Sequence, residues 1–163
     1  MNLSVTNDKF KNVPTEQQLV DIAKLVLKTA GQPSRGINVG LHIVGSEEIA
    51  KLNKEFRKKN APTDVLSFRS LGVWKDKKIN RKNYYLDYDE ATKTIGIGDI
   101  FICIDVAKKQ AKEYKHSLAR EVAELFVHGL LHLIGHDHHE ENEAQEMKEL
   151  EEQISTKLDK FSF

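Results

Sequence analysis

The sequence predicts a single α+β domain in which a mixed, roughly four-stranded sheet packs against about five helices. The chain has 163 residues, a length that suits one domain with a buried core. Segments with alternating apolar residues are interleaved with segments of helical periodicity, which is typical of helices packed on a sheet. No internal repeat, low-complexity tract or Pro/Gly/Ser-rich linker divides the chain. We therefore expect residues 1–163 to form one domain.

The first half of the chain predicts strands and helices in alternation. Residues 2–6 alternate as a short first strand. Residues 15–18, Thr-Glu-Gln-Gln, resemble a capping box, and a helix is expected from there to about Ala30. Residues 36–44 alternate apolar and polar side chains and predict a second strand. A second helix is expected to begin near Ser46.

The second half predicts two strands followed by three helices. Residues 63–68 and 95–104 are rich in β-forming side chains. The second of these segments is apolar on both faces, which predicts a central strand. Asp105 is the expected N-cap of the helix that follows it. The three helices are predicted at 106–114, 117–134 and 140–158.

The segment 70–93 has the least regular pattern and predicts a loop or hairpin insert. Basic side chains dominate its first half and acidic side chains its second half. The simplest interpretation is a solvated insert, because runs of charge usually face water. The alternative is a finger that contacts RNA through its basic side chains, Lys77, Lys78, Arg81 and Lys82.

The overall composition excludes several classes of protein. With 25 basic and 25 acidic side chains the net charge is zero, so any contact with a polyanion requires a local basic patch. A single cysteine, Cys103, excludes an internal disulfide framework, and its apolar neighbours predict a buried side chain. No stretch approaches the roughly 18 apolar residues of a membrane span. We expect a cytoplasmic protein with no membrane association.

The stretch with the most chemical side chains is 128–138, His-Gly-Leu-Leu-His-Leu-Ile-Gly-His-Asp-His. His128 and His132 stand four residues apart, so on a helix they share one face at about 6 Å along the axis. One metal ion can bind two imidazoles at that spacing. Gly135 predicts the end of the helix, because a left-handed residue costs little without a Cβ. The chain can then turn back and supply a third imidazole.

Three histidines compete for the third ligand position. His136 would be next on the helical stripe if the helix continued, but the stop at Gly135 favours His138, with the spacing His-x3-His-x5-His. His139 is expected to be exposed. Three protein ligands leave one position of a tetrahedral zinc ion open for water, which is the arrangement of a catalytic site. The sequence thus predicts one zinc ion in a metal-dependent hydrolase.

The residue after His128 argues against one class of zinc enzyme. Metalloproteases with an HExxH motif have a glutamate there as general base. This chain has Gly129, which cannot accept a proton. The sequence therefore favours a metal-dependent hydrolase other than a protease of this type.

Four spaced motifs together resemble the YbeY family, bacterial single-strand-specific metallo-endoribonucleases of ribosomal RNA maturation. The first motif is 128–138. The others are Leu-Asn-x-x-Phe-Arg at 52–57 with Pro-Thr-Asp-Val-Leu-Ser-Phe at 62–68, Gly-Asp-Ile-Phe-Ile-Cys at 98–103, and the predicted last helix with its segment 146–154. The resemblance extends from about Leu41 to Ile154. It departs from the family pattern in a longer segment between Phe68 and Gly98.

The resemblance implies a zinc ion held by His128, His132 and His138, and cleavage of single-stranded RNA in 16S rRNA 3′-end maturation and ribosome quality control. It implies a small ribosomal subunit protein or an assembly GTPase as partner. It also implies a functional arginine, Arg57, in a cleft shared with the metal. A guanidinium offers paired donors for the charge that develops on phosphate oxygens. Without the resemblance, an ordinary surface salt bridge would be the better interpretation of Arg57.

Three acidic residues are candidates to support the metal site. Asp137 either handles a proton beside the metal or stabilises the turn after the helix. Asp99 either supports the site or ends a strand. Glu124 lies one turn before His128, where members of the family often have histidine, and it either orients His128 or faces solvent.

Two alternative functions stay open at this stage. The protein could be a metal hydrolase of another substrate, because kinship of fold does not fix the substrate. It could also be a ribosome-assembly factor whose metal is structural and whose role is to dock on a partner protein.

Overall fold

The computed structural model describes residues 1–7, 10–70, 78–138 and 140–163. Within these ranges it confirms the predicted single α+β domain. The elements in chain order are β1 (Asn2–Thr6), α1 (Glu16–Thr29), β2 (Ile37–Val44), α2 (Ser46–Arg57), β3 (Val65–Arg69), β4 (Tyr88–Asp89), β5 (Thr94–Cys103), α3 (Ile104–Glu113), α4 (Leu118–Leu133) and α5 (Glu141–Leu158).

The sheet is mixed, with the strand order β1-β2-β5-β3 and the short β4 also paired with β5. β1 and β5 both run parallel to β2, whereas β3 and β4 run antiparallel to β5. As predicted, β5 lies in the interior of the sheet, and its Ile100 and Ile102 are fully buried. β3 is the last strand of this order, so one edge of the sheet is available to a functional site.

The two faces of the sheet are covered unequally. α1 and α4 pack on one face together with α5, and their apolar side chains form the main core, with Leu19, Phe126 and Leu130 among them. On the opposite face α2 covers a smaller cluster around Ile49 and Leu66. Side chains alternate between faces along a strand, so each strand contributes to both layers.

The close contact between α4 and the sheet depends on Gly129. A Cβ atom at this position would lie 2.8 Å from Cγ2 of Ile100 and 3.0 Å from Oγ of Ser67. Only a residue without a side chain lets the helix approach β5 and β3 this closely. The glutamate of an HExxH motif therefore has no room here, which adds a packing reason to the chemical one.

α4 ends at a Schellman motif, as the glycine after the helix predicts. Gly135 has φ +90°. Its N–H donates to the carbonyl of His132 at 3.0 Å, and the N–H of His136 donates to the carbonyl of Leu131 at 3.0 Å. The chain reverses direction at this turn and returns towards α4.

Side-chain hydrogen bonds cap the first turns of α1 and α2. Thr15 and Gln18 form the predicted capping box of α1. The prediction that Asp105 is the N-cap of α3 is wrong, because α3 begins two residues earlier than predicted, at Ile104, with Cys103 as its N-cap. The Asp105 carboxylate instead accepts hydrogen bonds from the N–H and O–H of Ser46, at 3.0 and 2.8 Å, at the start of α2. These bonds lower the pKa of Asp105.

Cys103 is buried and forms no disulfide, as predicted.

The described part of the segment 70–93 forms a hairpin with the start of β5. Residues 71–77, which include the candidate RNA contact Lys77, lie outside the described ranges. Ile79 and Tyr84 are 3% and 0% exposed, so this part of the segment is not solvated throughout. Burial raises the pKa of Tyr84 to about 12. The sequence pattern missed these two core residues because single apolar side chains between polar ones show no periodicity.

The other candidate RNA contacts of this hairpin have different surroundings. The Arg81 guanidinium forms an ion pair with Glu90 and lies 4.3 Å above the centre of the Tyr88 ring. Lys78 and Lys82 are exposed. None of the helices in the described ranges combines the length and hydrophobicity that a bilayer crossing requires.

Candidate metal centre and active-site cleft

A cleft of about 740 Å³ opens between α4 and the edge strand β3. It brings together the residues that the sequence predicts as metal ligands, the predicted arginine and Asp137. Its lining consists of Arg57, Thr63, Asp64, Val65, Ser67, Arg69, Leu125, His128, His132, Asp137 and His138.

Three imidazoles converge at one end of the cleft. The Nε2 atoms of His128 and His132 are 3.1 Å apart. A ring nitrogen of His138 joins them, and these candidate ligand atoms all lie within 4.8 Å of one another. Nitrogen ligands at about 2.0–2.1 Å from a tetrahedral zinc ion are separated by about 3.3 Å. The three nitrogens are therefore close enough together for one small ion to bind them.

The protonation of His132 suits a metal ligand. Burial, together with the neighbouring His128, lowers the pKa of His132 to about 4. Its imidazole is therefore neutral at physiological pH, and a metal ion requires the neutral form. The His132 ring therefore offers a nitrogen lone pair to the cleft rather than a positive charge.

Glu151 of α5 orients His128. Its Oε1 atom lies 2.7 Å from Nδ1 of His128, which donates the hydrogen bond and leaves Nε2 free to face His132. Metal-binding histidines commonly pair their second ring nitrogen with a carboxylate in this way. Glu151 was not predicted as a site residue from the sequence, although it shares the inward face of α5 with Met147 and Ile154. An acidic side chain on that apolar stripe was the available signal.

The hydrogen bonds of the Glu124 carboxylate match neither alternative, orientation of His128 or exposure to solvent alone. Its Oε1 atom accepts hydrogen bonds from Nε of Arg120 at 2.7 Å and from Oγ of Ser155 at 3.2 Å. Arg120 lies one turn earlier on the same helix, and Ser155 lies on α5. The carboxylate therefore links α4 to α5.

The other two acidic candidates lie in different places. Asp137 lines the cleft, and its Oδ1 accepts the backbone N–H of His138 at 2.8 Å, as a turn-stabilising aspartate would. The same oxygen is 3.9 Å from Nδ1 of His132, beyond hydrogen-bond distance. Asp99 is not brought to the cleft. Its Oδ1 lies 3.2 Å from Nε2 of His42, on the opposite face of the sheet.

Two of the three candidates for the third ligand, His136 and His138, lie in the described residues, and the structure distinguishes them. His138 is the one that approaches the first two rings. His136 is buried, and its Nδ1 lies 3.7 Å from a carboxylate oxygen of Glu146 on α5. His139 lies outside the described residues.

Two arginines give the cleft a positive side. Arg57 is the last residue of α2, and Arg69 is the last residue of β3. Both are exposed and line the cleft that holds the imidazoles. Arg69 was not predicted as a site residue from the sequence. Its position in the cleft depends on the register of β3, which the pattern alone does not give.

Asp64 anchors the start of β3 rather than offering a free carboxylate. Its side chain accepts hydrogen bonds from the backbone of Val65, the hydroxyl of Thr63 and the amide of Gln110, at 2.8, 3.0 and 3.1 Å. Burial raises the pKa of Asp64, but these bonds outweigh it and the net pKa is lowered. This wall of the cleft is therefore rigidly held.

A second group of ionisable side chains lies between the turn before α4 and α4 itself. An oxygen of the buried Glu121 carboxylate is 3.1 Å from Nε2 of His116. Burial, with the nearby charges of Glu124 and Asp64, raises the pKa of Glu121 despite the opposing effect of His116. The described residues therefore contain a second cluster of a histidine and carboxylates, His116 with Glu121 and Glu124, away from the three imidazoles.

Comparison with known proteins shows the family. The sequence model described as Endoribonuclease YbeY matches residues 4–159. The chain is 40% identical to the Endoribonuclease YbeY of Carboxydothermus hydrogenoformans over 154 residues, which cover 94% of this chain and 95% of that protein. It is 38% identical to that of a Thermoanaerobacter species over 160 residues, covering 97% and 98% of the two chains.

A solved structure shows the same fold. The solution structure of a Thermotoga maritima protein aligns with a TM-score of 0.56 and 22% identity, covering 96% of this chain and 88% of that one. The family match, the relatives and the geometry of the cleft agree with one another. The chain belongs to the Endoribonuclease YbeY family.

Proposed function

We propose that the protein is a zinc-dependent endoribonuclease that cleaves single-stranded RNA and acts in 16S rRNA 3′-end maturation and ribosome quality control. Membership of the family gives the coarser statement, an endoribonuclease with an RNA substrate. The observation that supports zinc-dependent RNA cleavage is the convergence of three imidazoles in a cleft that also contains two arginines.

The ligands in this proposal are His128, His132 and His138, with Glu151 holding the ring of His128. A zinc ion held by these residues would supply Lewis acidity towards a phosphoryl oxygen and would lower the pKa of a water molecule towards neutrality. The half-buried position of His128 and His132 keeps both rings in place before the ion arrives. The turn that begins at Gly135 brings His138 to them.

Arg57 is the proposed catalytic residue, and Arg69 lines the same cleft. A guanidinium donates paired hydrogen bonds to the non-bridging oxygens of a phosphate and stabilises the charge that grows on them during cleavage. Because the two arginines end different elements, α2 and β3, they approach the cleft from separate directions. We infer that Arg57 contacts the scissile phosphate and that Arg69 contacts the same phosphate or the next one.

The proposal includes a cytoplasmic location, where ribosomal RNA is processed, and docking on a small-subunit protein or an assembly GTPase. It also retains Lys78 and Lys82 of the hairpin as RNA contacts, together with Lys77 and Arg81. For Arg81 such a contact would compete with its ion pair to Glu90.

Cleavage of a labelled single-stranded RNA by the purified protein tests the proposed activity. Cleavage should stop after chelation and recover when zinc is added, and elemental analysis should find one zinc ion that His132→Ala loses. Arg57→Ala and His128→Ala should each lower the rate at least a hundredfold, the loss found when a charge-stabilising donor is removed. Equal cleavage by both variants and the parent would assign the activity to a contaminant. Normal ribosome maturation in cells carrying both substitutions would favour a docking role instead.

A further inference from the structure

An aromatic row crosses the sheet face that α2 leaves partly uncovered. The row consists of Phe56 at the end of α2, Phe68 on β3, Phe101 on β5 and His42 on β2. Successive ring centres are 4.8, 5.6 and 4.5 Å apart. The row therefore runs continuously from the edge strand to the interior of the sheet.

The row is accessible at both ends. Phe56 is 58% exposed, which is unusual for a large apolar side chain at the end of a helix. His42 stacks on Phe101 with an angle of 16° between the ring planes, and its side chain is 28% exposed. Asp99 holds His42 through its 3.2 Å contact. Gly40 permits that contact, because a Cβ there would lie 1.9 Å from the Asp99 carboxylate.

A basic patch surrounds the outer end of the row. The segment 54–59, Lys-Glu-Phe-Arg-Lys-Lys, has four cationic side chains and one acidic side chain, and all of them are exposed. The chain as a whole carries no net charge, so this local excess of cations is a specific feature of the surface. Cations that alternate with exposed rings are the usual pattern of surfaces that bind single-stranded nucleic acid.

The row and the cleft meet at the edge strand. Phe56 directly precedes Arg57, which lines the cleft. Along β3, Ser67 and Arg69 face the cleft, whereas Phe68 lies on the other face of the sheet as part of the aromatic row. A nucleic acid strand that passes round this edge can place a phosphate at Arg57 and the adjoining base at Phe56.

We propose that the aromatic row and the basic patch form a stacking track for the unpaired bases of the RNA strand as it leaves the cleft. The track rests on the proposed function, since it assumes a single-stranded RNA in the cleft. Rings bind bases of any identity, because every base has a π face. The track therefore predicts a preference for unpaired RNA without a preference for sequence.

Fluorescence anisotropy measures the affinity for RNA, and EDTA prevents cleavage during the measurement. The probes are a labelled single-stranded RNA of mixed A and U sequence, the same strand with abasic nucleotides, and its duplex. Phe56→Leu should weaken binding of the ordinary strand about fivefold, the low end for one stacked base. Its affinity for the abasic strand and for the duplex should equal that of the parent. Phe56→Trp, which keeps an aromatic ring, should bind the ordinary strand as tightly as the parent does. Tyr114→Leu, which removes an equally exposed ring away from the row, should have no effect.

Two results would overturn the track. An equal loss on ordinary and abasic strands would mean that Phe56 acts through the backbone or through local shape. No loss on any strand would leave this face to a protein partner. A parallel cleavage assay with zinc separates the two proposals. If Phe56→Leu cleaves RNA normally and binds it as tightly as the parent, the stacking track is refuted and the proposed nuclease is not. If the parent protein shows stacking but never cleaves, the proposed nuclease is refuted and the track is not.

Discussion

Replacing Glu151 by glutamine should weaken zinc binding about tenfold. The carboxylate accepts the Nδ1 hydrogen of His128 at 2.7 Å, a length typical of a charge-assisted bond. Glutamine keeps the size of the side chain and can still accept a hydrogen bond, so the change removes mainly the negative charge. Ionic partners of this kind hold the ring in one tautomer and strengthen its lone pair.

The size of the expected effect follows from the exposure of the pair. Loss of such a partner costs about 10- to 100-fold in metal affinity. The side chains of His128 and Glu151 are 33% and 35% exposed, so water screens the contact and the lower end of that range applies. Tenfold corresponds to roughly 1.4 kcal/mol. Glu151→Ala, which also removes the acceptor, should cost more.

Competition with a chromophoric zinc chelator measures the dissociation constant directly, without any assay of cleavage. Glu152→Gln is the matched control, because it removes the same charge from the next residue, whose side chain is 68% exposed. Equal affinity of the parent protein and both variants would refute the orienting role of Glu151. An equal loss in both variants would show that only the overall charge matters.

Three further predictions concern stability. Gly129→Val should destabilise the protein by about 1–3 kcal/mol in urea unfolding, because the new side chain is forced against β5, and an unchanged midpoint would show that α4 can move away freely. In zinc-free protein, the lowered pKa of His132 means that the unfolded state binds its proton first. The free energy of unfolding should therefore fall as the pH drops from 6.5 towards 4, less steeply in His132→Ala, and parallel curves would contradict this. Glu121→Gln should stabilise the protein at neutral pH, because burial of the charged carboxylate raises its free energy in the folded state. The added stability should vanish in acid, where the carboxylate is protonated. A variant that is less stable at neutral pH would show that the contact with His116 outweighs the effect of burial.

Sequence periodicity predicted most of the fold because the side chains that define it are close in the chain. The apolar run that marks β5 and the i,i+4 spacing of His128 and His132 are local patterns, and the stop at Gly135 is a property of one residue. The same local signals predicted that the turn after α4 returns His138 towards His128 and His132, as the structure has it. They also predicted the single buried cysteine.

The contacts that the sequence did not predict join distant segments. Glu151 is 23 residues from His128, and Arg69 reaches the cleft only through the pairing of β3 with β5. Asp105 caps a helix 59 residues earlier in the chain. Propensity at one position cannot distinguish a side chain that caps its own helix from one that caps a neighbour.

β3 separates two surfaces with alternate residues of one short strand. Substituting Ser67 or Arg69 alters the cleft without touching the aromatic row, and changing Phe68 does the reverse. A one-residue insertion or deletion would exchange the two sets, since side chains alternate with a period of two. Evolution or protein engineering can thus vary the two surfaces independently through point substitutions, provided that the length of this strand is preserved.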